Sequence, residues 1–420
     1  MTRPTVSRTT SFTRTELTVY TLGFLAFFLF GLVQAGYGPS YPALGREYGQ
    51  PVTVVGVVAS LHFAGSAVGT LLLGALLTRL SLRSSLMVAA LGLVLGLLGV
   101  ALSPSWTLLL VGATLGGLSF GVLSAGLNLA FAELGAGPSN LVNGLFGIGS
   151  VVSPILVTLL AKGSHGPPFL LMAVMAAALA VGLRLLWPKP EQGAAPIPNT
   201  AQASTVQAQS ETPGQPVLSK TVPLHSPLPR PAPLPRRVLT LFGLCFFLYV
   251  GIEAGYGNWA TTYFARLGAD QPELLTSFYW LALTAGRFAS AALGSRFGPL
   301  QVLSFATGGA MLGSALMLLG GLRLAPYGLV LAGFCIAPIF STQLAWFTRS
   351  QPPRLAPYML TLGSVGGAVL PALTGLALPR LGAASVPLAP LIIAALLLLC
   401  VTLLHRQLAG RPTVPDLLAP

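Results

Sequence analysis

The chain alternates between long apolar runs and short polar breaks. Crossing a bilayer as a helix takes about 20 mostly apolar residues. Windows of that kind fall at 17–38, 52–77, 84–103, 107–131, 140–161, 167–187, 237–264, 274–294, 300–321, 325–347, 355–378 and 387–405. Six lie before and six after the stretch 188–236, which is rich in Pro, Ala, Gln, Ser and Thr and shows no apolar periodicity. The pattern predicts an all-α membrane protein of twelve transmembrane helices in two pseudo-symmetric six-helix bundles. Its parts are a cytoplasmic tail (1–16), a first bundle (17–187), a disordered cytoplasmic linker (188–236), a second bundle (237–405) and a second cytoplasmic tail (406–420).

The two halves repeat each other. Phe27-Phe28-Leu29 and Ala35-Gly36-Tyr37-Gly38 recur as Phe246-Phe247-Leu248 and Ala254-Gly255-Tyr256-Gly257, both at an offset of 219. Gln34 falls opposite Glu253, so the repeat keeps a polar side chain there and only the second copy carries charge.

Composition supports the bilayer. Of the 420 residues, 54% are hydrophobic and 7% charged, against about 25% charged in soluble proteins. The net charge of +13 does not imply a nucleic-acid partner, because the Lys and Arg residues are scattered between apolar runs and form no basic face. Three cysteines, Cys245, Cys335 and Cys400, sit in apolar runs without metal-ligand spacing. No phosphate-binding Gly-rich loop ending in Gly-Lys-Ser/Thr and no catalytic triad is visible, so neither an enzyme nor a cofactor or metal is expected. The basic N-terminal residues Arg3, Arg8 and Arg14 precede an apolar run as long as a full span, which reads as a first helix and not a cleaved leader. With the N-terminus inside, sixteen Lys and Arg residues fall in inner segments and five in outer ones. This bias places both termini and the linker in the cytoplasm and the chain in the plasma (inner) membrane. A monomer is expected.

Glycines recur at helix-packing spacing: Gly65 and Gly69, Gly112 and Gly116, Gly117 and Gly121, Gly363 and Gly367. Small residues four apart let helices approach closely in lipid, either as static seams or as surfaces that slide.

Six plus six helices, a central linker and an internal repeat resemble the major facilitator superfamily. After the second span, Gly74, Arg79 and Arg83 match that family's cytoplasmic signature, with Thr78 in place of its aspartate and Ser81 in place of its second glycine. The counterpart is Ser295-Arg296-Phe297-Gly298, again without the acid. The resemblance implies that Gly74, Arg79, Arg83 and Arg296 form a gating latch, weakened here by the missing acids. Finer stretches are similar to the fucose-permease-like branch. They include the fourth helix from Gly117 to Asn128 with Ser124 in place of an acid, and Asn140-Leu-Val-Asn143-Gly144-Leu-Phe146-Gly147 with Asn143 in a His position. Glu253, Gly286-Arg287 and Gly363 to Pro371 continue the likeness. That branch is rich in sugar–proton symporters, which makes a sugar the first substrate expected.

Charges at membrane depth cost about 3 kcal/mol each even on lenient scales, and only Glu253 and Arg287 lie clearly there. Glu253 reads as a proton-coupling or substrate-binding carboxylate, or as the structural partner of Arg287. Arg287 reads as a substrate-binding fork, or as the group that neutralises Glu253. Gln34, Asn128, Asn143 and Gln343 are candidate hydrogen-bonders to solute, and Tyr37, Tyr256 and Trp259 candidate aromatic faces. Each has a structural alternative, an interhelical hydrogen bond or packing. His62 is a further titratable group with the same ambiguity. The expected function is secondary transport of a small polar solute, a sugar moved with protons, by alternating access. Efflux of amphipathic compounds or drugs is the alternative, and a non-transporting solute receptor the second.

Overall fold

The computed structural model describes residues 14–134, 136–187, 235–293, 296–350 and 355–408. Most of both tails and linker residues 188–234 therefore lie outside the described residues. Among the described residues every regular element is helical. The first half holds α1 (Arg14–Tyr48), α2 (Val52–Val55), α3 (Val57–Leu77), α4 (Leu82–Ala101), α5 (Trp106–Leu134), α6 (Ala136–Ala161) and α7 (Gly166–Leu185). The second holds α8 (Arg236–Arg266), α9 (Pro272–Leu293), α10 (Pro299–Leu319), α11 (Gly321–Ile336), α12 (Ile339–Ser350), α13 (Ala356–Leu381) and α14 (Ser385–Leu408). α2 and α3 form one pass jointed at Gly56. α11 and α12 form another, broken at Ala337-Pro338, where proline lacks the N–H that would continue the ladder. The described helices thus make twelve passes.

Ten stretches are long and apolar enough to cross a membrane, one of them, Ala356–Leu408, containing both α13 and α14. α9 is not among them. It carries buried Thr276, Ser277 and Thr284 and the charged Arg287, so its polarity faces protein.

α1 continues to Tyr48, beyond the window that ended at Gly38. Pro39 and Pro42 mark a break by sequence, yet both lie inside the helix, where the Ser40 hydroxyl bonds the Gly36 carbonyl at 2.8 Å. The helix stops at Gly49, whose φ of +61° is costly for side-chain-bearing residues. Gln50 N–H then closes on the Gly45 carbonyl at 3.0 Å, the Schellman arrangement. At the other boundary, α8 begins at Arg236, the last residue assigned to the linker.

Contacts follow the repeat. In the first half α1 packs on α6, α3 and α4 on α5, and α4 on α7. In the second, α8 packs on α13, α9 and α10 on α11, and α10 on α14. Between halves, α3 meets α13, its counterpart α9 meets α6, and α1 meets its own counterpart α8. Exchanging the halves maps this set onto itself, which is a pseudo-two-fold arrangement. Most Gly pairs noted in the sequence are seams within a bundle. A methyl on Gly65, Gly69, Gly117 or Gly121 would enter the backbone of the facing helix in the α3–α5 pair. Gly367 differs, because it faces Phe63 of the other half.

Candidate functional site

The site is built on α8, which is buried without interruption from Gly251 to Phe264. A helix apolar all round and covered all round is a core element. Glu253 stands near the start of this stretch, and its Oε1 accepts a hydrogen bond from Arg287 Nη2 of α9 at 3.2 Å. The Glu253 side chain is 11% exposed and the Arg287 side chain, stem included, 33%, so the ion pair itself is enclosed. Tyr279 of α9 donates its hydroxyl to the Glu253 backbone carbonyl at 3.0 Å, which fixes α9 against α8.

Cys245, Tyr249 and Glu253 are spaced four apart and share one face of α8. The Tyr249 hydroxyl is buried and faces both charges of the pair. Gln343 of α12 reaches the Cys245 carbonyl through Nε2 at 3.4 Å, and its Oε1 is buried without a partner among the described residues. Trp280 Nε1 is likewise buried and unmet. An unmet buried polar atom costs about 1–3 kcal/mol. Gln343 and Trp280, within about two turns of Glu253 along α8, mark places suited to water or to a hydroxylated solute. Tyr249 was missed by sequence reading, although its place four residues before Glu253 was a usable signal.

On the first half, Gln34 is half-buried one turn before Gly38 on α1. A Cβ on Gly38 would lie 2.6 Å from the Gly257 carbonyl and 2.7 Å from Asn258 Cα. The repeated Ala-Gly-Tyr-Gly motifs therefore meet where α1 crosses α8. Tyr37 turns away from that crossing: its hydroxyl lies 3.2 Å from His62 Nδ1 and its ring packs on Phe169. Its counterpart Tyr256 bonds Ser314 of α10. Both tyrosines thus point into their own bundles, and His62 is enclosed by Tyr37, Phe63 and Phe120. Asn128 donates to the Ser124 carbonyl of its own helix at 2.8 Å. Asn143 is exposed on α6, beside Gly144, which faces Phe288 of α9. Trp259 is fully buried, and its Nε1 donates to the Pro371 carbonyl at 2.8 Å.

The latch residues are not brought together. Arg83 bonds the Leu183 carbonyl at 3.5 Å and also the Arg184 carbonyl, so it caps the C-terminal end of α7 within its own bundle. Arg79 and Arg296 are exposed, and among the described residues neither joins an ion pair. Gly74 has open space where a Cβ would stand. A polar clamp that sequence reading missed lies at the opposite end. Glu47 of α1 accepts from the backbone N–H of His165 at 2.8 Å and contacts its Nδ1, while His165 Nε2 meets the Val100 carbonyl of α4 at 2.8 Å.

The two ends of the molecule differ. Toward the C-terminal end of α1, the halves touch at Gly38–Gly257, Tyr41–Trp259, Gly56–Trp259 and Phe63–Gly367. Near mid-depth they touch at Gly147–Thr284. Following the Phe63 face of α3 toward the other end, Ala67 is still buried, whereas Gly74 stands open. The two bundles are thus sealed against each other toward the C-terminal end of α1, with Glu253 one turn beneath the seal.

A family model described as Major Facilitator Superfamily matches residues 23–363, from α1 into α13. A Helicobacter pylori (strain J99) protein described as "Putative glucose/galactose transporter" is 29% identical over 141 residues, 32% of this chain and 35% of that protein. The chain thus spans about a third of that relative. A crystal structure of the nucleoside transporter NupG superposes with a TM-score of 0.66 at 15% identity, covering 94% of this chain and 99% of that one. A point variant of the E. coli fucose:proton symporter FucP superposes at 0.61 with 16% identity, covering 92% and 98%. Those identities speak for the fold alone. A multi-pass apolar helical chain, halves exchanged by a pseudo-two-fold, a charged pair beneath a seal between them and a family match through both bundles lead to one conclusion: this is an integral membrane protein that belongs to the Major Facilitator Superfamily, whose members are transporters of small solutes and not enzymes.

Proposed function

We propose that the protein imports a small uncharged polar solute, a sugar in the first instance, together with protons. The observation that carries this reading is the Glu253–Arg287 pair. Glu253 lies seventeen residues into α8, about 26 Å along a helix of about 46 Å at 1.5 Å per residue. It is therefore near mid-depth, and its counterpart Gln34 has no charge. Burial favours a protonated carboxyl in general, and a neighbouring guanidinium favours the carboxylate. A solute that engages Arg287 loosens the pair and frees Glu253 to carry a proton. One deep carboxylate gives one proton per cycle. Tyr249, Gln343, Trp280, Gln34 and Asn143 supply neutral donors and acceptors, which suits hydroxyls better than ions. The relatives described above as sugar, nucleoside and fucose:proton transporters agree with this class. With both termini cytoplasmic, as the basic-residue bias supports, the sealed end faces outward, in a plasma membrane.

The test is proton uptake by reconstituted vesicles on addition of candidate sugars, comparing wild type with Glu253→Gln. A sugar-triggered pH change that disappears in the variant supports symport through Glu253. A change that survives removes Glu253 from coupling.

One observation favours the efflux alternative. An apolar groove of about 720 Å³ between α9 and α11, lined by Leu275, Phe278, Pro326, Tyr327 and Phe334 among others, opens on the lipid-facing side. Drug-dependent proton release from the same vesicles, without any sugar response, would select efflux.

A further inference from the structure

We propose that Trp259 is the outer gate: a wedge anchored to the second bundle that closes the transporter by seating in a glycine notch of the first. The proposal rests on alternating access and not on the solute or the coupling ion.

Trp259 is 0% exposed. Its Nε1–H donates to the Pro371 carbonyl of α13 at 2.8 Å, so the indole is held by its own bundle. The neighbouring Cζ2–Cη2 edge of the benzo ring enters the other bundle. The Tyr41 ring of α1 lies 5.1 Å away, centroid to centroid. At the α2–α3 joint, a Cβ on Gly56 would stand 2.7 Å from Trp259 Cζ2 and 3.2 Å from Cη2. On the near side, a Cβ on Gly375 of α13 would stand 2.6 Å from the same Cζ2. The benzo ring is thus slotted between two glycines, one from each bundle, and no side chain fits at either.

The slot guards the site. Trp259 lies six residues beyond Glu253 on α8, about 9 Å closer to the sealed end, and just beyond the Gly38–Gly257 crossing. Opening that end requires α1, α2 and α3 to withdraw from Trp259. The bond to Pro371 lies within the moving body and survives. The ring therefore leaves Gly56, stays on the second bundle, and presents its free edge to the mouth.

The two glycines give a built-in control. Gly56→Ala and Gly375→Ala crowd the same ring atom, but only the first does so across the interface. The measurement is the outer inter-bundle distance between spin labels at Pro104→Cys and Asp270→Cys, in full-length protein whose Cys245, Cys335 and Cys400 are replaced by Ala. Both label sites are exposed, one in each half. Gly56→Ala is expected to raise the ratio of long to short outer distances by about tenfold or more, the size of an ordinary conformational coupling. Gly375→Ala is expected to shift the ratio several-fold less than Gly56→Ala, since its clash is with a side chain of its own bundle and its neighbour across the interface, the Thr53 carbonyl at 3.6 Å, is at ordinary contact distance. Adding Trp259→Phe to Gly56→Ala removes the crowded atoms and is expected to restore the short distance. An unchanged distribution in Gly56→Ala, an equal shift in Gly375→Ala, or no reversal by Trp259→Phe would each overturn the gate. The assay needs no solute, so its outcome is independent of whether sugars or protons move.

Discussion

Removing Arg287 tests whether the charged pair holds the second bundle together. In Arg287→Met, the Glu253 carboxylate keeps its 11% exposure but loses its partner at 3.2 Å. Coulomb attraction at that distance, with an effective dielectric of about 20, is about 5 kcal/mol. Breaking a buried pair from one side costs about 3–5 kcal/mol, because a charge is left unmatched. Glu253→Gln is milder. It leaves Arg287, one-third exposed, able to draw in water, and costs about 1 kcal/mol. The double variant Glu253→Gln/Arg287→Met carries no unmatched charge and should recover most of the loss, for a coupling energy of about 2–4 kcal/mol. The assay is thermal unfolding of purified protein in one detergent. If the second bundle unfolds as a unit, each kcal/mol is worth about 2–4 °C. Arg287→Met should then fall by about 6–20 °C and the double variant by much less. Equal losses in the two single variants that simply add in the double would refute the reasoning. Transport separates structure from function: the double variant should regain stability and still fail to couple protons.

Three further outcomes are expected. Gly38→Val should abolish solute uptake while leaving expression intact, because its branches meet the α8 backbone, which cannot rotate away as a side chain would; normal uptake would show that the α1–α8 crossing tolerates separation. Gln343→Leu should leave the melting temperature unchanged or raised, since Oε1 is already unmet, yet weaken solute binding about tenfold or more by calorimetry; unchanged affinity would return Gln343 to a structural role. His165→Leu should destabilise the first bundle by about 1–3 kcal/mol, seen as faster hydrogen exchange at the outer ends of α1, α4 and α7, because the imidazole link between Glu47 and the Val100 carbonyl is lost while Glu47 keeps only the backbone N–H; protection unchanged at those ends would show that the clamp contributes nothing.

Membrane immersion made much of the fold legible. Lipid cannot meet backbone hydrogen bonds, so long apolar runs must be helices, and the runs could be counted. The offset of 219 between the Ala-Gly-Tyr-Gly motifs pointed to paired halves, and in the structure Gly38 and Gly257 of those motifs touch. Glu253 and Arg287 were singled out as a candidate pair because charge at depth is costly and each needed a partner. α1 runs ten residues past the apolar window and through Pro39 and Pro42, since a proline is tolerated in a membrane helix where neighbours satisfy the freed carbonyls.

What the sequence determined by itself is the helical class, the number of passes, the repeat and the rare charges, because each follows from excluding water from the backbone and from ions. Only the tertiary structure decided which face each helix turns inward. It turned Tyr37 and Tyr256 into their own bundles, left Trp259 wedged between glycines, placed Tyr249 beside the charged pair, and joined Glu47 to His165 across 118 positions. The physical reason is that lipid and protein core are alike in polarity. A membrane helix apolar on every side carries little hydropathy signal for its facing, which is settled by shape, close packing of small residues and the few hydrogen bonds between helices.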